Sequence, residues 1–426
     1  MTLNFITDGE TLNSSSDSDS TNQSLINEEN VSDGSEDDIN SYPFVFDESK
    51  EIHYKIKYKQ IFEEDININE VYILNLDAQK LGQSLRVATA HTDHTCRVYG
   101  IEAGSKSFTE CLDHEDQIID VKFGSKDSQI SSIVFTGSDN GTIKLWDLRL
   151  KEKCISVFKD ETDGSPKPIT CFDVSCDGRF IVAGTEVLKD DSFLLFWDIR
   201  TTNLLGGYWD THYGDITQVR FHPTEDKTII SGSTDGIINL FDVTQTTEKD
   251  ALQSSYNTNS SISNLRWLKN KNEDSVISCI THTEDLQLWC TTDSSPFLTI
   301  PRDTVSSSMN ITPAGYNQVI NCHQTDKNGN MMLLVGINYG RGEHLQSLTM
   351  TDGPELLPRT VFKNNKQIVR CSWYEKDSGF LVTGGEANIL NIWVPSDENN
   401  LDTTPNKNSL KILPKISLRN DTSKPY

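Results

Sequence analysis

Three stretches of this chain repeat one pattern: SDNGTIKLWDLR at 138–149, KDDSFLLFWDIR at 189–200 and STDGIINLFDVT at 233–244. Each is a polar turn, then an alternating apolar run, then an aromatic–Asp pair. Self-similarity at a fixed period restricts a chain to a repeat architecture, so it governs every other reading. Taking the aromatic as a marker gives Tyr99, Trp146, Trp197, Phe241, Trp289 and Trp393, separated by 47, 51, 44, 48 and 104 residues. The last gap is two periods of 52, which predicts a degenerate repeat with its third strand near HLQSLTM at 344–350. The chain therefore carries seven repeats.

Within a repeat the order is constant. Repeat four shows it as ITQVRF at 216–221, TIISGS at 228–233 and INLFDV at 238–243, followed by a weaker segment. Short β-rich runs separated by Gly, Asp, Asn and Ser turns predict antiparallel meanders rather than βαβ units. No segment combines a long period of 3.6 with helix caps, so the fold class is all-β.

The pairs Trp146–Asp147, Trp197–Asp198 and Phe241–Asp242, with His114 and His212 placed ahead of their strands, make the chain resemble the WD40 family across roughly residues 53–397. Repeats five to seven depart from the pattern: Cys290 follows Trp289, Val394 follows Trp393, and repeat six has no aromatic marker. The resemblance implies a seven-bladed β-propeller of four-stranded blades, a ring without the free sheet edges that template aggregation. Residues 398–426 offer no fourth strand for the last blade, whereas YKIKYKQIF at 54–62 alternates well and has no repeat of its own. It is expected to close the ring. Longer stretches, at 171–200, 211–243 and EKDAL at 248–252, are similar to the WD repeat-containing protein 89 family.

Composition divides the chain further. Residues 1–50 hold twelve acids against one base, with Ser and Asn between them, too little apolar surface to offset ordering entropy. The expected organisation is a disordered acidic arm at 1–50, a propeller at 51–397 and a flexible tail at 398–426. Ser14, Ser16 and Ser35 each precede an Asp by three residues, the pattern that acidophilic kinases prefer. The net charge of −25 repels phosphate backbones and anionic lipid heads, so a basic protein is the favoured partner over nucleic acid or membrane. Nine scattered cysteines without a CxxC pair read as reduced thiols, and no eighteen-residue apolar run or basic leader is present. A monomeric propeller of the cytoplasm, the nucleus or both is expected.

Candidate site residues fall into three groups. His114, Thr136, Asn140 and Trp146, and in repeat four His212, Ser231, Asp235 and Phe241, occupy the places where the WD40 resemblance implies a buried hydrogen-bond chain; Trp197 belongs with them. His, Ser and Asp together suggest catalysis, but a nucleophile needs an exposed oxygen and an oxyanion pocket, and these lie inside a blade. No GxSxG, GxxxxGK[ST] or HExxH occurs. His91, Asp93 and His94 lack the further ligands of a zinc site. No catalytic residue, cofactor or metal is expected. Secondly, Trp146–Arg149 and Trp197–Arg200 both match WDxR, which resembles substrate receptors of cullin-4 RING ubiquitin ligases; Arg149 and Arg200 would bind the adaptor unless they simply pair with Asp147 and Asp198. Thirdly, Glu186, Asp190 and Asp191 of the long blade-three turn, with Asp210 and Asp215, would form an anionic platform for a basic partner.

Overall fold

The computed structural model describes residues 56–396, except 66–69, 103, 125–131, 151–153, 163, 310, 313–316, 327, 339–342 and 351–354, together with the strand Val45–Phe46. The expected acidic arm and tail lie outside the described residues, apart from that short strand, which pairs with Ile311–Thr312.

Seven four-stranded antiparallel sheets follow one another along the chain and form a ring. Their first strands begin at Ile73, Ile118, Ile169, Ile216, Ile262, Asn317 and Val369. These strands touch their counterparts in the next blade, and the seventh touches the first. They therefore line the axis. Burial grades outward from there. Thr228–Ser233, a second strand, is almost wholly buried, whereas Cys154–Lys159, a fourth strand, alternates exposed residues with half-buried ones and the buried Phe158. A strand with neighbours on both faces reads as a continuous apolar run, and one at the rim as an alternation.

Blade spacing depends on small residues in the second strands. A Cβ on Gly184 would lie 2.5 Å from Ile216, one on Gly232 2.6 Å from Leu265, and one on Gly384 2.7 Å from Ile73, each contact being to the next blade's first strand. The marker aromatics are buried between blades, Trp197 and Trp393 completely. In blade six Leu348, opposite Leu333, takes the marker's place. Its surroundings are rich in Met and Leu, and the helix Arg302–Ser308 adds Val305 to the same core. That helix and a shorter one, Glu248–Ala251, sit in connections and are the departures from an all-strand reading.

The strand that completes blade seven is Lys57–Asp65, paired with Ile389–Ser396 from Lys57↔Ser396 to Asp65↔Ile389. The sequence placed it at 54–62. The alternation used to place it ends at Phe62, but backbone pairing continues through Glu63 and Glu64, whose side chains meet Lys366 and Lys106.

Candidate functional site

Antiparallel order gives the ring two distinct faces. One carries the turns between second and third strands and the connections between blades; the other carries the turns between third and fourth strands. His114, His212 and the blade-three turn lie on the first face, Arg149 and Arg200 on the second.

The hydrogen-bond chain differs between blades. In blade two the Trp146 indole donates to Thr136 Oγ1 at 2.8 Å, and that hydroxyl lies 2.5 Å from His114 Nε2. The other ring nitrogen, Nδ1, is buried without a partner. Asn140 does not join this chain: its amide donates to Asp116, and its oxygen accepts from the Thr142 amide. Burial first, then Lys144, brings the His114 pKa down to about 3. In blade four His212 Nε2 meets Ser231 at 2.7 Å and Nδ1 meets Asp235 at 3.0 Å. The chain ends at Ser231 on the Phe241 side, and Asn239, which the sequence did not single out, approaches Nε2 at 3.3 Å. Trp197 follows neither pattern; its indole donates to the Lys159 carbonyl at 3.4 Å. Blade three instead buries an ion pair between Lys167 and Asp160 in the connection ahead of it.

His91 and Asp93 are spent separately, His91 on Thr89 and Asp93 on Thr95 and Arg97. No group of metal-ligating side chains converges among the described residues. All nine cysteines are free, five of them buried.

Arg149 grips Asp147 with Nε at 2.9 Å and Nη2 at 2.5 Å, and Arg200 grips Asp198 at 3.0 and 2.7 Å. Both guanidinium groups remain exposed, while the two carboxylates are buried and held well below the usual range by those same arginines. The WDxR forks thus close on their own blades.

On the opposite face the blade-three turn extends as a hairpin tip, Leu188 and Asp191 exchanging backbone hydrogen bonds around Lys189 and Asp190, both at positive φ. This is the type I′ geometry that suits a right-handed strand pair. Glu186, Asp190 and Asp191 are exposed. Asp215 is not part of an open platform: its carboxylate accepts from the Val187 amide at 2.9 Å and its carbonyl from Thr234, which ties blade three's turn to blade four. Next to it Tyr213 donates its amide to Asp235, and its ring stands 81 % exposed.

The axis encloses a polar channel of about 780 Å³. Each first strand breaks register near its start, at Ile73/Asn75, Ile118/Asp120, Ile169/Cys171, Ile216/Gln218, Ile262/Asn264, Val319/Asn321 and Val369/Cys371, so corresponding positions can be matched around the ring. One level down from these breaks carries Asp77, Lys122 and Asp173 on the first three blades. Arg220 and Arg266 follow on blades four and five. His323 and Trp373 complete the level; His323 is buried against Ser372 at 2.9 Å. Burial pushes Asp77 and Asp173 up, and Lys122 and Arg220 beside them act in the opposite sense.

Comparison with known proteins agrees with this architecture. The family model for the WD domain, G-beta repeat, matches residues 106–147, 152–198 and 205–242. This chain carries WD40 repeats. It is 26 % identical over 238 residues to WD repeat-containing protein GTS1 of Arabidopsis thaliana, covering 56 % of this chain and 58 % of that one. It is 23 % identical over 329 residues to the WD repeat-containing protein 89 homolog of Dictyostelium discoideum, covering 75 % and 85 % of the two chains. An uncharacterized WD repeat-containing protein of Saccharomyces cerevisiae is 30 % identical over 200 residues, covering 46 % of this chain and 48 % of its own.

WD40 propellers are in general non-enzymatic scaffolds that bind protein partners. The family pattern directs attention to histidines, aromatic–Asp pairs and WDxR, and these prove to hold the blades. Tyr213, Val187 and the channel arginines fall outside that pattern. An exposed aromatic cannot be told from a buried one by type, and the charged level of the channel becomes legible only once the first strands are aligned.

Proposed function

We propose that this WD40 propeller is a protein-interaction scaffold and that the blade-three and blade-four loops hold a basic protein client. The observation that carries the reading is Tyr213, 81 % exposed on a backbone fastened to Asp235. A large amphipathic ring on an already ordered loop offers contact area at little entropic cost, as in the anchor positions of interfaces. Val187, whose amide is held by Asp215 two residues along from Tyr213, is 36 % exposed, and its own turn carries the exposed acids Glu186, Asp190 and Asp191. A partner with an apolar side chain flanked by Lys or Arg matches that chemistry. Complementary charge at such a rim speeds association and is weakened by salt.

The test is binding of a fluorescent Lys/Arg-rich peptide bearing one Leu to the full chain. Binding should fade as salt rises and drop about tenfold or more in Tyr213→Ala, with a smaller loss in Asp190→Asn plus Asp191→Asn. Affinity unchanged in both variants would sink the reading.

The cullin-4 receptor role implied by the WDxR resemblance has one feature in its favour, the exposure of Arg149 and Arg200 on a single face. Against it, each fork already grips the carboxylate of its own blade. Recovery of the ligase adaptor with wild type and its loss in the Arg149→Ala, Arg200→Ala double variant would reverse this order of preference.

A further inference from the structure

We propose that the axial channel binds a phosphorylated polyol, such as a sugar phosphate, with Arg220 and Arg266 taking the phosphate and Asp77 and Asp173 accepting from the hydroxyls. The argument starts from charge order. Going round the level that lines the channel, Asp77, Lys122 and Asp173 alternate in sign, and Lys122 is further neutralised by Asp120 at 2.9 Å. Arg220 and Arg266 then follow each other with no acid between them.

Two adjacent like charges inside a ring are unfavourable unless something answers them. Among the described residues neither arginine has a carboxylate within ion-pair distance. Arg220 donates to its neighbour's carbonyl on Val219 and to Gln218. Arg266 reaches from blade five to the Ser372 carbonyl of blade seven at 3.5 Å, the edge of hydrogen-bond range, and its Nε is buried with no partner at all. Asn321 is also buried there, with its Oδ1 unpartnered. Guanidinium donors in a fixed fork match the oxygens of a phosphate as they do those of a carboxylate, and a phosphate, with more oxygens and more charge, can be shared by two forks.

The acids decide what accompanies the phosphate. Asp77 and Asp173 each accept backbone amides, Asp77 from Phe123 and Asp173 from Phe221, both at 2.8 Å. That leaves lone pairs facing the channel without a cation bound directly to them. Such carboxylates accept readily from hydroxyls and repel a second phosphate, which favours one phosphate on a polyol over a polyphosphate. The cavity's volume lies within the range of small-molecule sites. A protein of net charge −25 thus sets two neighbouring arginines in its axial channel, with Asp77 and Asp173 nearby but no carboxylate in direct contact with either guanidinium.

The test uses the full chain and three probes: glucose 6-phosphate, inorganic phosphate and glucose. Calorimetric titration should give saturable binding of glucose 6-phosphate, about tenfold or more weaker binding of inorganic phosphate, and none of glucose. Arg266→Gln and, independently, Arg220→Gln should each lower the affinity for glucose 6-phosphate about tenfold or more, while unliganded melting shows that the variants remain folded. Arg266→Lys should retain part of the binding. Absence of binding to wild type, or binding by both Gln variants as tight as that of wild type, overturns the proposal; equal binding of inorganic phosphate and glucose 6-phosphate overturns the role given to Asp77 and Asp173.

Discussion

Asp235 receives the Nδ1 proton of His212 at 3.0 Å, while in blade two the corresponding nitrogen of His114 has no acceptor. The difference lies in one atom of one side chain. Asp235 turns an oxygen back to the imidazole and also accepts the amides of Tyr213 and Ile237. Asn140 instead staples its own turn through Thr142 and donates outward to Asp116.

Substituting the two turn residues should therefore have unequal effects. Asp235→Ala strands an imidazole proton and two amides and is expected to cost about 2–3 kcal/mol. Asn140→Ala removes only a turn staple and should cost under about 1 kcal/mol. Urea denaturation midpoints compare the two; equal losses would mean that the His212–Asp235 contact adds nothing beyond turn geometry.

This contrast also marks how far the sequence could be read. Trp146, Trp197 and Phe241 were recognisable because each sits at a fixed distance from a polar turn and is followed by Asp, and all are buried at the same place in their blades. Leu348 could not be recognised by type, yet the period located its strand, because spacing survives the loss of the aromatic. The closing strand was legible by alternation, which fails as soon as pairing continues under Glu63 and Glu64. Lys167 and Asp160 were invisible, since nothing in a lone Lys and Asp seven apart separates a buried pair from two solvated charges. Tyr213 and the Arg220–Arg266 neighbours depend on exposure and on alignment across blades.

Stability should fall on mild acidification. Burial lowers the pKa of His91 to about 4 and of His114 to about 3, and it lowers His222, His323 and His344 as well. Below the ordinary value of about 6.5 the unfolded chain takes up protons that the folded one refuses, so each such group removes up to about 1.4 kcal/mol per pH unit until its folded pKa is reached. Asp77 and Asp173, raised by burial, act in the opposite sense at lower pH, but they are outnumbered. Melting at pH 7 and pH 5 should show a clear drop, smaller in His114→Gln than in wild type when each is referred to its own value at pH 7. An identical melting temperature at both values would contradict the neutral, buried state of these rings.

The distance between neighbouring blades can be probed with one methyl group. At Gly184 a Cβ would meet two carbons of Ile216 at 2.5 and 2.8 Å and the Cys171 sulfur at 2.9 Å. At Gly336, in the corresponding strand of blade six, the nearest atom is Ile320 Cδ1 at 3.3 Å, the movable end of a side chain. Gly184→Ala should then cost about 1–3 kcal/mol through overpacking, and Gly336→Ala distinctly less. Thermal melts of the two variants give the comparison, and a reversed order would show that blade six, not blade three, is the tighter junction.

The Lys167–Asp160 pair makes the sharpest energetic case. Both side chains are almost completely withdrawn from water, and Lys167 also lies 4.9 Å over the Phe193 ring. Burial alone would raise the Asp160 pKa, yet hydrogen bonds from Lys167 and Thr162 outweigh it and the carboxyl lies below its usual range. Removing the cation by Lys167→Met strands a charged group in the connection that leads into blade three, for an expected loss of about 3–5 kcal/mol. Taking away both charges, in Asp160→Asn with Lys167→Met, should restore much of that loss, because the desolvation of two ions disappears with their attraction. A double variant as unstable as the sum of the single ones would mean that the pair acts through packing on Phe193 and not through charge.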